Sequence, residues 1–421
     1  MTNDRTTDLI HCSILESYTP FAEPELLDKI QSLAADLKGI TVQHINSTYI
    51  GGGVAEILLS LKSIMCSVGL NARWDVIKAD AKFFEVTKSF HNAFHGEKLN
   101  LNPEMINIYR QTACANLDLV APDADFVVLH DQQPLGLTER RPGHQGKWIW
   151  YCHIDPVRVD ARLWEFLSGY AGHCDAAIYH LAEYAKNLGH RQFFLPPAID
   201  PLNEKNREVT AGEEQEVLAK LEISRDLPVI LQVSRFDRLK NPFGVVQAFL
   251  EVAKEIPCRL ILAGGAADDD PEGQTVLEEL LVMVNNNPHI KVLNLAPTSN
   301  LEINVLQRAA DIIVQNSVRE GFGLTVTEAL WKAKPVVATP VGGIRRQVLN
   351  EETGLLAGTP DELVQCLKRL LNNRGLAQEL GRSGKEHVRK HFITPVYLYN
   401  WLLVLHRLHY GEEDNPVDFL T

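Results

Sequence analysis

Pro228-Val229-Ile230-Leu231-Gln232-Val233 is a short, nearly unbroken apolar run, and the charged stretch Ser234-Arg235-Phe236-Asp237-Arg238-Leu239-Lys240 follows it at once. A strand that is apolar on both faces belongs inside a parallel sheet covered on both sides. Working outward, Pro242 to Lys254 has helical period with proline near its start. Arg259–Ala263 reads as a strand, Gly273 to Asn285 as a helix and Ile290–Leu293 as a strand. Asn300 to Ala310 is a helix with Asn as its cap. The strand Asp311–Val314, the helix Leu324 to Lys332, the strand Pro335–Ala338 and the helix Pro360 to Asn372 complete the series. Strands alternating with helices give an α/β fold with a doubly wound sheet.

The first half repeats the alternation. Thr41–Ile45, Arg73–Ile77, Asp125–Leu129, Trp148–Cys152 and Ala176–Tyr179 read as strands. Helices are expected over Val54 to Val68, after Gly51-Gly52-Gly53, and over Leu181 to Leu188. Leu195-Pro196-Pro197-Ala198-Ile199-Asp200 is a stiff connector, because two prolines cannot continue a helix. We therefore expect two Rossmann-like domains, 1–197 and 198–394. The aromatic tail Pro395 to Tyr410 is too apolar for a free end. It is expected to form a helix, within 395–412, that packs back on the first domain across the junction.

At 421 residues the chain is too long for one core. A net charge of −13 argues against nucleic acid and anionic lipid as partners, so an anionic ligand needs a local basic cluster. Seven scattered cysteines without a CxxC pair read as reduced thiols, not a disulfide frame or zinc site. The chain shows no secretory pattern and no apolar run long enough for a bilayer span, so a cytoplasmic location without stable membrane association is expected. The sequence allows a homodimer.

Ligands of doubly wound sheets bind beyond the carboxyl ends of the strands. Arg235 and Lys240 stand at one such end. Two fixed cations there would stabilise a departing diphosphate, and Arg can grip phosphate with two hydrogen bonds. Glu320-Gly321-Phe322-Gly323-Leu324-Thr325-Val326-Thr327-Glu328 supplies two carboxylates around a helix start. The bare amides of that start suit an anion or a sugar oxygen, and the glycines allow close approach. Glu320 can accept from sugar hydroxyls, and Glu328 from a ribose. Gly52 and Gly53 precede a helix and could meet a phosphate. His153 and Asp155 follow one strand end and His130-Asp131-Gln132-Gln133 another. His153 could donate to the reacting sugar, or could be a partly buried, hydrogen-bonded histidine, one of 15 in the chain. Asp123, Asp125 and Asp268 to Asp270 read as solvated or structural carboxylates, so no metal and no cofactor is expected.

These residues resemble the retaining glycosyltransferases of the GT-B fold, in the group headed by the sucrose and trehalose synthases that use nucleotide sugars. The Arg/Lys segment and the carboxylate pair, within 228–345, are the general signature. Asn46–Leu58, Phe83–Asn92, His130–Pro134, Trp150–Asp155 and Pro196–Pro201 are closer to the trehalose glycosyltransferring synthases, so the resemblance spans nearly the whole chain. It implies two Rossmann-like domains with a cleft between them. The implied reaction moves glucose from UDP- or ADP-glucose to free glucose, with retention, giving α,α-trehalose. By the resemblance Arg235 and Lys240 hold the diphosphate and Glu320 the donor sugar, with Gly321, Phe322, Gly323 and Leu324 beside it. Glu328 holds the ribose, Gly52 and Gly53 close on the phosphates, and His153 lies beside the reacting sugar. His130, Asp131, Gln133 and Asp155 shape the acceptor pocket.

Two stretches depart from the pattern: Gln132 stands where the family has Pro, and Val157-Arg158-Val159 replaces small polar residues. Glycerate, glycerol or a sugar phosphate is therefore an alternative small acceptor, a lipid or polysaccharide another. A sugar-nucleotide sensor without turnover and an epimerase are readings of other classes.

Overall fold

The computed structural model describes residues 14–50, 52–265, 271–412 and 417–419. Gly51, Cys12 and Asp268 to Asp270 lie outside the described residues. The chain divides into two compact units, Met1–Ala198 with Thr394–Thr421, and Ile199–Ile393.

The first unit is built on strands β1 (Thr41–Asn46), β2 (Asn71–Val76), β3 (Phe126–His130), β4 (Lys147–Cys152), β5 (Ala176–Tyr179) and β6 (Arg191–Phe194). Their order is β6-β5-β4-β3-β1-β2, every pairing is parallel, and Val417–Asp418 adds a parallel edge beside β6. Successive strand residues point to opposite faces. One face carries Ile45, Val127, Leu129, Trp148, Trp150 and Tyr179 into a core shared with Phe83, Phe90 and Leu163. The opposite face carries His44, His130 and Tyr151, and there Trp401, fully buried, meets His44 and Tyr151 edge-on at ring distances of 5.4 and 5.9 Å. Trp401 belongs to the helix Thr394–Tyr410, which packs within this unit against the helices Pro24–Asp36 and Gly53–Ser67. Tyr397, on the same helix, brings its hydroxyl to that of Tyr151 at 3.4 Å.

The helix expected over Leu181 to Leu188 does not form. Only a single 3₁₀ turn, Ala182–Tyr184, is present. Ala185 swings to extended backbone (ψ 135°), and the Lys186 carbonyl accepts from the Gln192 side chain at 2.5 Å.

The second unit holds β7 (Val229–Val233), β8 (Arg259–Gly264), β9 (Ile290–Asn294), β10 (Ile312–Gln315), β11 (Val336–Ala338) and β12 (Leu355–Leu356), ordered β12-β11-β10-β7-β8-β9, all parallel. The order reverses between β7 and β10, the two strands followed by the Arg235 and Glu320 segments. Crevices at the carboxyl ends of strands where the order reverses are where such sheets bind ligands. Close packing supports the end of β7: a Cβ on Gly264 would stand 1.8 Å from the Ser234 carbonyl oxygen. Among the described residues no helix is long and apolar enough to cross a membrane, and no group of three or more His, Cys, Asp or Glu could hold a metal ion.

Candidate active site

In the second unit the end of β7 turns through Asp237, whose side chain is buried and accepts from the Leu239 amide at 2.7 Å. The second carboxylate oxygen of Asp237 lies 3.4 Å from Arg235 Nη2, which tethers a guanidinium side chain that is still 43% exposed. Asn241 closes this turn with φ +49° and caps the following helix through Gly244 N–H. Lys240 is thereby aimed back over the sheet, where its ammonium forms an ion pair and hydrogen bond with Glu320. Glu320 Oε2 also accepts from Ser317 Oγ at 3.2 Å and from Gln315 Nε2 at 3.5 Å. Gln315 is fixed in turn by Thr325, whose hydroxyl donates to Gln315 Oε1 at 3.2 Å. The structure thus joins Lys240 and Glu320, 80 residues apart, into one charged cluster. Ser317 and Gln315, which sequence reasoning did not single out, orient the carboxylate.

Gly323 stands just before the helix Leu324–Trp331 with φ +88°. A Cβ there would meet Glu320 Cγ at 3.1 Å, so both the backbone and the close approach require glycine. Phe322 is buried, and its carbonyl accepts from Gln347 Nε2 at 2.6 Å. Glu328 lies deeper. It is 3% exposed, accepts from Gln307 Nε2 at 3.0 Å and has Lys205 Nζ 3.8 Å away. Beneath it Lys332 is almost wholly buried, donates to Asn206 Oδ1 at 3.1 Å, and is pulled down to about 7, chiefly by burial. Nothing in the sequence flagged Lys205 or Lys332. Both reach Glu328 from the second unit's own chain.

In the first unit Asp131 follows the end of β3 with φ +63°, a backbone conformation uncommon for a non-glycine residue and concentrated at functional sites. Its Oδ1 accepts from the His153 amide at 2.7 Å, and burial raises its carboxyl to about 7. His153 stacks on Tyr151 at 3.9 Å between ring centroids. Both of its ring nitrogens are engaged: Nε2 with His130 Nδ1 at 2.9 Å and Nδ1 with His180 Nε2 at 3.1 Å. His130 is 2% exposed and its other nitrogen meets His44, so it links His153 to His44. Gln132 is fully buried and reaches the Thr87 carbonyl. Gln133 stays partly exposed, Asp155 caps the Val157 amide at 2.9 Å, and Gly52 (φ +82°) caps the helix Gly53–Ser67. Asp125, at the amino end of β3, accepts from the Thr41 amide at 2.8 Å and is structural.

Burial keeps His44, at about 3, and His130 and His153 far below the ordinary imidazole range, so all three are neutral in the folded chain. An unfolded chain would protonate them as pH falls through about 6.5. Folding stability is therefore full above that pH and declines below it, by on the order of 1 kcal/mol per pH unit for each site. Asp131, with its raised carboxyl, works in the opposite sense and offsets one of them. The urea midpoint is expected to be clearly lower at pH 5.5 than at pH 7.5; equal midpoints would contradict neutral burial of these rings.

Two parallel sheets, with charge gathered at the carboxyl ends of strands in the second unit and imidazoles and a strained aspartate in the first, define a glycosyltransferase of the GT-B fold. The fold matches solved structures closely. Sucrose-phosphate synthase from Thermosynechococcus elongatus covers 89% of this chain and 100% of its own at TM-score 0.70 and 19% identity. An E. coli structure described as trehalose-6-phosphate bound with UDP-2-fluoro glucose covers 88% and 98% at TM-score 0.68 and 15% identity. Residues 44–186 match the family described as trehalose synthase, N-terminal domain, and residues 213–387 the family glycosyl transferases group 1. The chain is 42% identical over 400 residues to the trehalose synthase of Pyrococcus horikoshii, covering 94% of this chain and 96% of that one. It is 38% identical over 404 residues to that of Rubrobacter xylanophilus, covering 94% and 97%. The chain belongs to the trehalose synthase family.

Proposed function

We propose that this enzyme transfers glucose from a nucleoside-diphosphate glucose to free glucose, with retention, to give α,α-trehalose. The observation that carries the proposal is the Lys240–Glu320 ion pair at the switch point of the second sheet, with Arg235 on the neighbouring turn and Gly323 opening the helix beneath it. A lysine ammonium has three donors, so Lys240 can keep Glu320 and still take a phosphate oxygen. Arg235 supplies the second cation. Together they offset the charge that grows on the leaving diphosphate, the kind of preorganised contact that contributes most to such a step. Glu320 holds donor hydroxyls, Gly321 to Leu324 leave room for the sugar, and Glu328 takes the ribose hydroxyls, held in place by Gln307 and Lys205. Gly52 and Gly53 cover the phosphates. His153, Asp131, Gln133 and Asp155 serve the reacting sugar and the acceptor. No side chain is assigned as nucleophile; the departing phosphate draws the acceptor proton on the same face.

The charge needed by the leaving group comes from two side chains, so turnover is expected without added metal and with a chelator present. The reaction is placed in the cytoplasm. The departures at Gln132, which is buried, and at Val157-Arg158-Val159, with Val157 half exposed, favour glycerate, glycerol or a sugar phosphate as the alternative. Incubation of the protein with UDP- or ADP-glucose against a panel of these acceptors, with product mass and linkage determined, tests the reading. Nucleoside diphosphate released only with glucose, and an α,α-linked disaccharide formed, is the expected result. Absence of release with every acceptor would sink it.

A further inference from the structure

Gln347 ends the short helix Ile344–Gln347 and is fully buried. Its side chain ties together a loop, a turn and a helix of the second unit. Nε2 donates to the Phe322 carbonyl at 2.6 Å and lies 3.3 Å from the Gly343 carbonyl, while Oε1 accepts from the Thr327 hydroxyl at 2.6 Å. Only one orientation of the amide fits these neighbours. Backbone carbonyls can only accept, so both face the NH2 group; the flipped amide would turn its oxygen on both. Oε1 is therefore the end at Thr327, and the hydroxyl there is the donor. The backbone beneath is held as well, because the Gln347 carbonyl accepts from Thr353 Oγ1 at 3.1 Å.

The loop that Gln347 grips is Glu320-Gly321-Phe322-Gly323. It meets the turn before Gln347 at a second point, where the Gly343 N–H donates to the Gly321 carbonyl at 3.1 Å. A Cβ on Gly343 would stand 2.5 Å from Phe322 Cδ2, which measures how closely loop and turn pack. In a trans peptide the C=O and the N–H point in opposite directions. The Phe322 carbonyl faces Gln347, so the N–H of the same peptide unit, which belongs to Gly323, faces away from it. Gly323 stands just before the helix Leu324–Trp331, and amides at a helix start have no partner within the helix. Gly323 also lies against Glu320, the partner of the Lys240 ammonium.

We propose that Gln347 is a positioning residue for the donor: by holding the Phe322 carbonyl it presents the Gly323 N–H to the diphosphate that Lys240 and Arg235 attract. Gln347 touches no substrate itself. The identity of the ligand rests on the transferase reading; the hydrogen bonds that hold the peptide do not. An N–H aimed in advance needs no reorganisation when charge grows on the leaving group. Thr327 completes the device by holding the amide from its other end.

The test is calorimetric titration of the full chain with UDP and with ADP, for the unmodified protein, Gln347→Met and Thr327→Val. Methionine is close to glutamine in size and removes both ends of the amide. It is expected to weaken binding of whichever diphosphate the unmodified chain takes by about tenfold or more. kcat/KM for the nucleoside-diphosphate glucose should fall by a similar factor, with little change in the KM for glucose. Thr327→Val leaves Nε2 on the Phe322 carbonyl, so its affinity should stay within about threefold. A loss of folded protein alone would lower the binding stoichiometry and kcat but not the affinity. Equal affinity in the unmodified protein and the folded methionine variant overturns the proposal, and so does an equal loss in the valine variant. If the methionine variant fails to fold, NMR of the unmodified chain decides. Phenylalanine labelled with carbon-13 at the carbonyl and glycine labelled with nitrogen-15 select the Phe-Gly peptides of the sequence, Phe243-Gly244 and Phe322-Gly323. Phe243→Leu removes the first signal and so identifies the second. The Gly323 amide is expected to shift on addition of the diphosphate; an unmoved signal overturns the proposal. If neither UDP nor ADP binds the unmodified chain, the transferase reading fails and the proposal falls with it, whereas binding that is blind to Gln347 overturns the positioning role alone.

Discussion

Lys240→Ala is expected to lower kcat by roughly two to three orders of magnitude while the second unit remains folded. The expectation follows from what Lys240 is held by and what it holds. Its stem is fixed by the turn through Asp237, and the Lys240 carbonyl accepts from Gln232 Nε2 at 2.8 Å. Its side chain is only 18% exposed, and that of Glu320 only 10%. In such a partly dry setting the charge is worth more than in water. Removal also takes the ammonium from a carboxylate to which Ser317 and Gln315 still donate, so stability should fall by about 1–3 kcal/mol. Glu320→Gln separates the two effects: it removes the charge the lysine neutralises but keeps an oxygen for Ser317. The double variant should lose less than the sum of the singles, because the two side chains act as one unit. Steady-state kinetics with nucleoside-diphosphate glucose and glucose decide the matter. A kcat within threefold of the unmodified enzyme for Lys240→Ala would remove the ion pair from the chemistry.

The two units differ in how openly the sequence displays their candidate residues, and the reason is geometric. In the second unit each functional side chain follows its strand within a few residues, so Arg235, Lys240 and Glu320 could be placed from the apolar runs alone. Their partners could not, because Ser317, Gln315 and Lys205 are ordinary polar residues whose meaning depends on which strands neighbour one another. The imidazole row is the stronger case. His130 and His153 are legible as strand-end residues, but His44 lies inside β1 and His180 follows β5, and only the register brings the four side by side on one face.

Several helices also escaped notice despite good local signals. Asp80 caps Ala81–Phe94 by accepting from Phe83 N–H, Asn102 with Pro103 opens Pro103–Ala115, and Thr210 with Glu213 forms a capping box before Ala211–Lys220. Their apolar stripes are short or interrupted, so the caps carried more information than the periodicity. The opposite error, the helix expected over Leu181 to Leu188, came from trusting periodicity where the backbone carbonyl of Lys186 is taken by a side chain.

Trp401→Ala is expected to destabilise the first unit by about 3–5 kcal/mol, the range for deleting a large buried aromatic side chain. Trp401 is fully buried, lies edge-on to His44 and Tyr151, and has Tyr397 as a ring neighbour at 6.3 Å. Those contacts fasten the helix Thr394–Tyr410, which the chain reaches only after completing the second unit, to the face of the first sheet. The loss should therefore appear in the first unit. Hydrogen exchange is expected to accelerate in peptides of β1, β3, β4 and Thr394–Tyr410, while β7, β8 and β10 keep their protection. With two units the unfolding need not be a single transition, so a local readout is preferable to one melting temperature. Trp401→Phe, which keeps a ring over His44, should recover part of the loss. The vacated space borders the buried Nε2 of His44, and a cavity with that polar atom on its wall can admit water. Unchanged exchange in β1 and β3 would mean that the tail helix is not what holds this face closed.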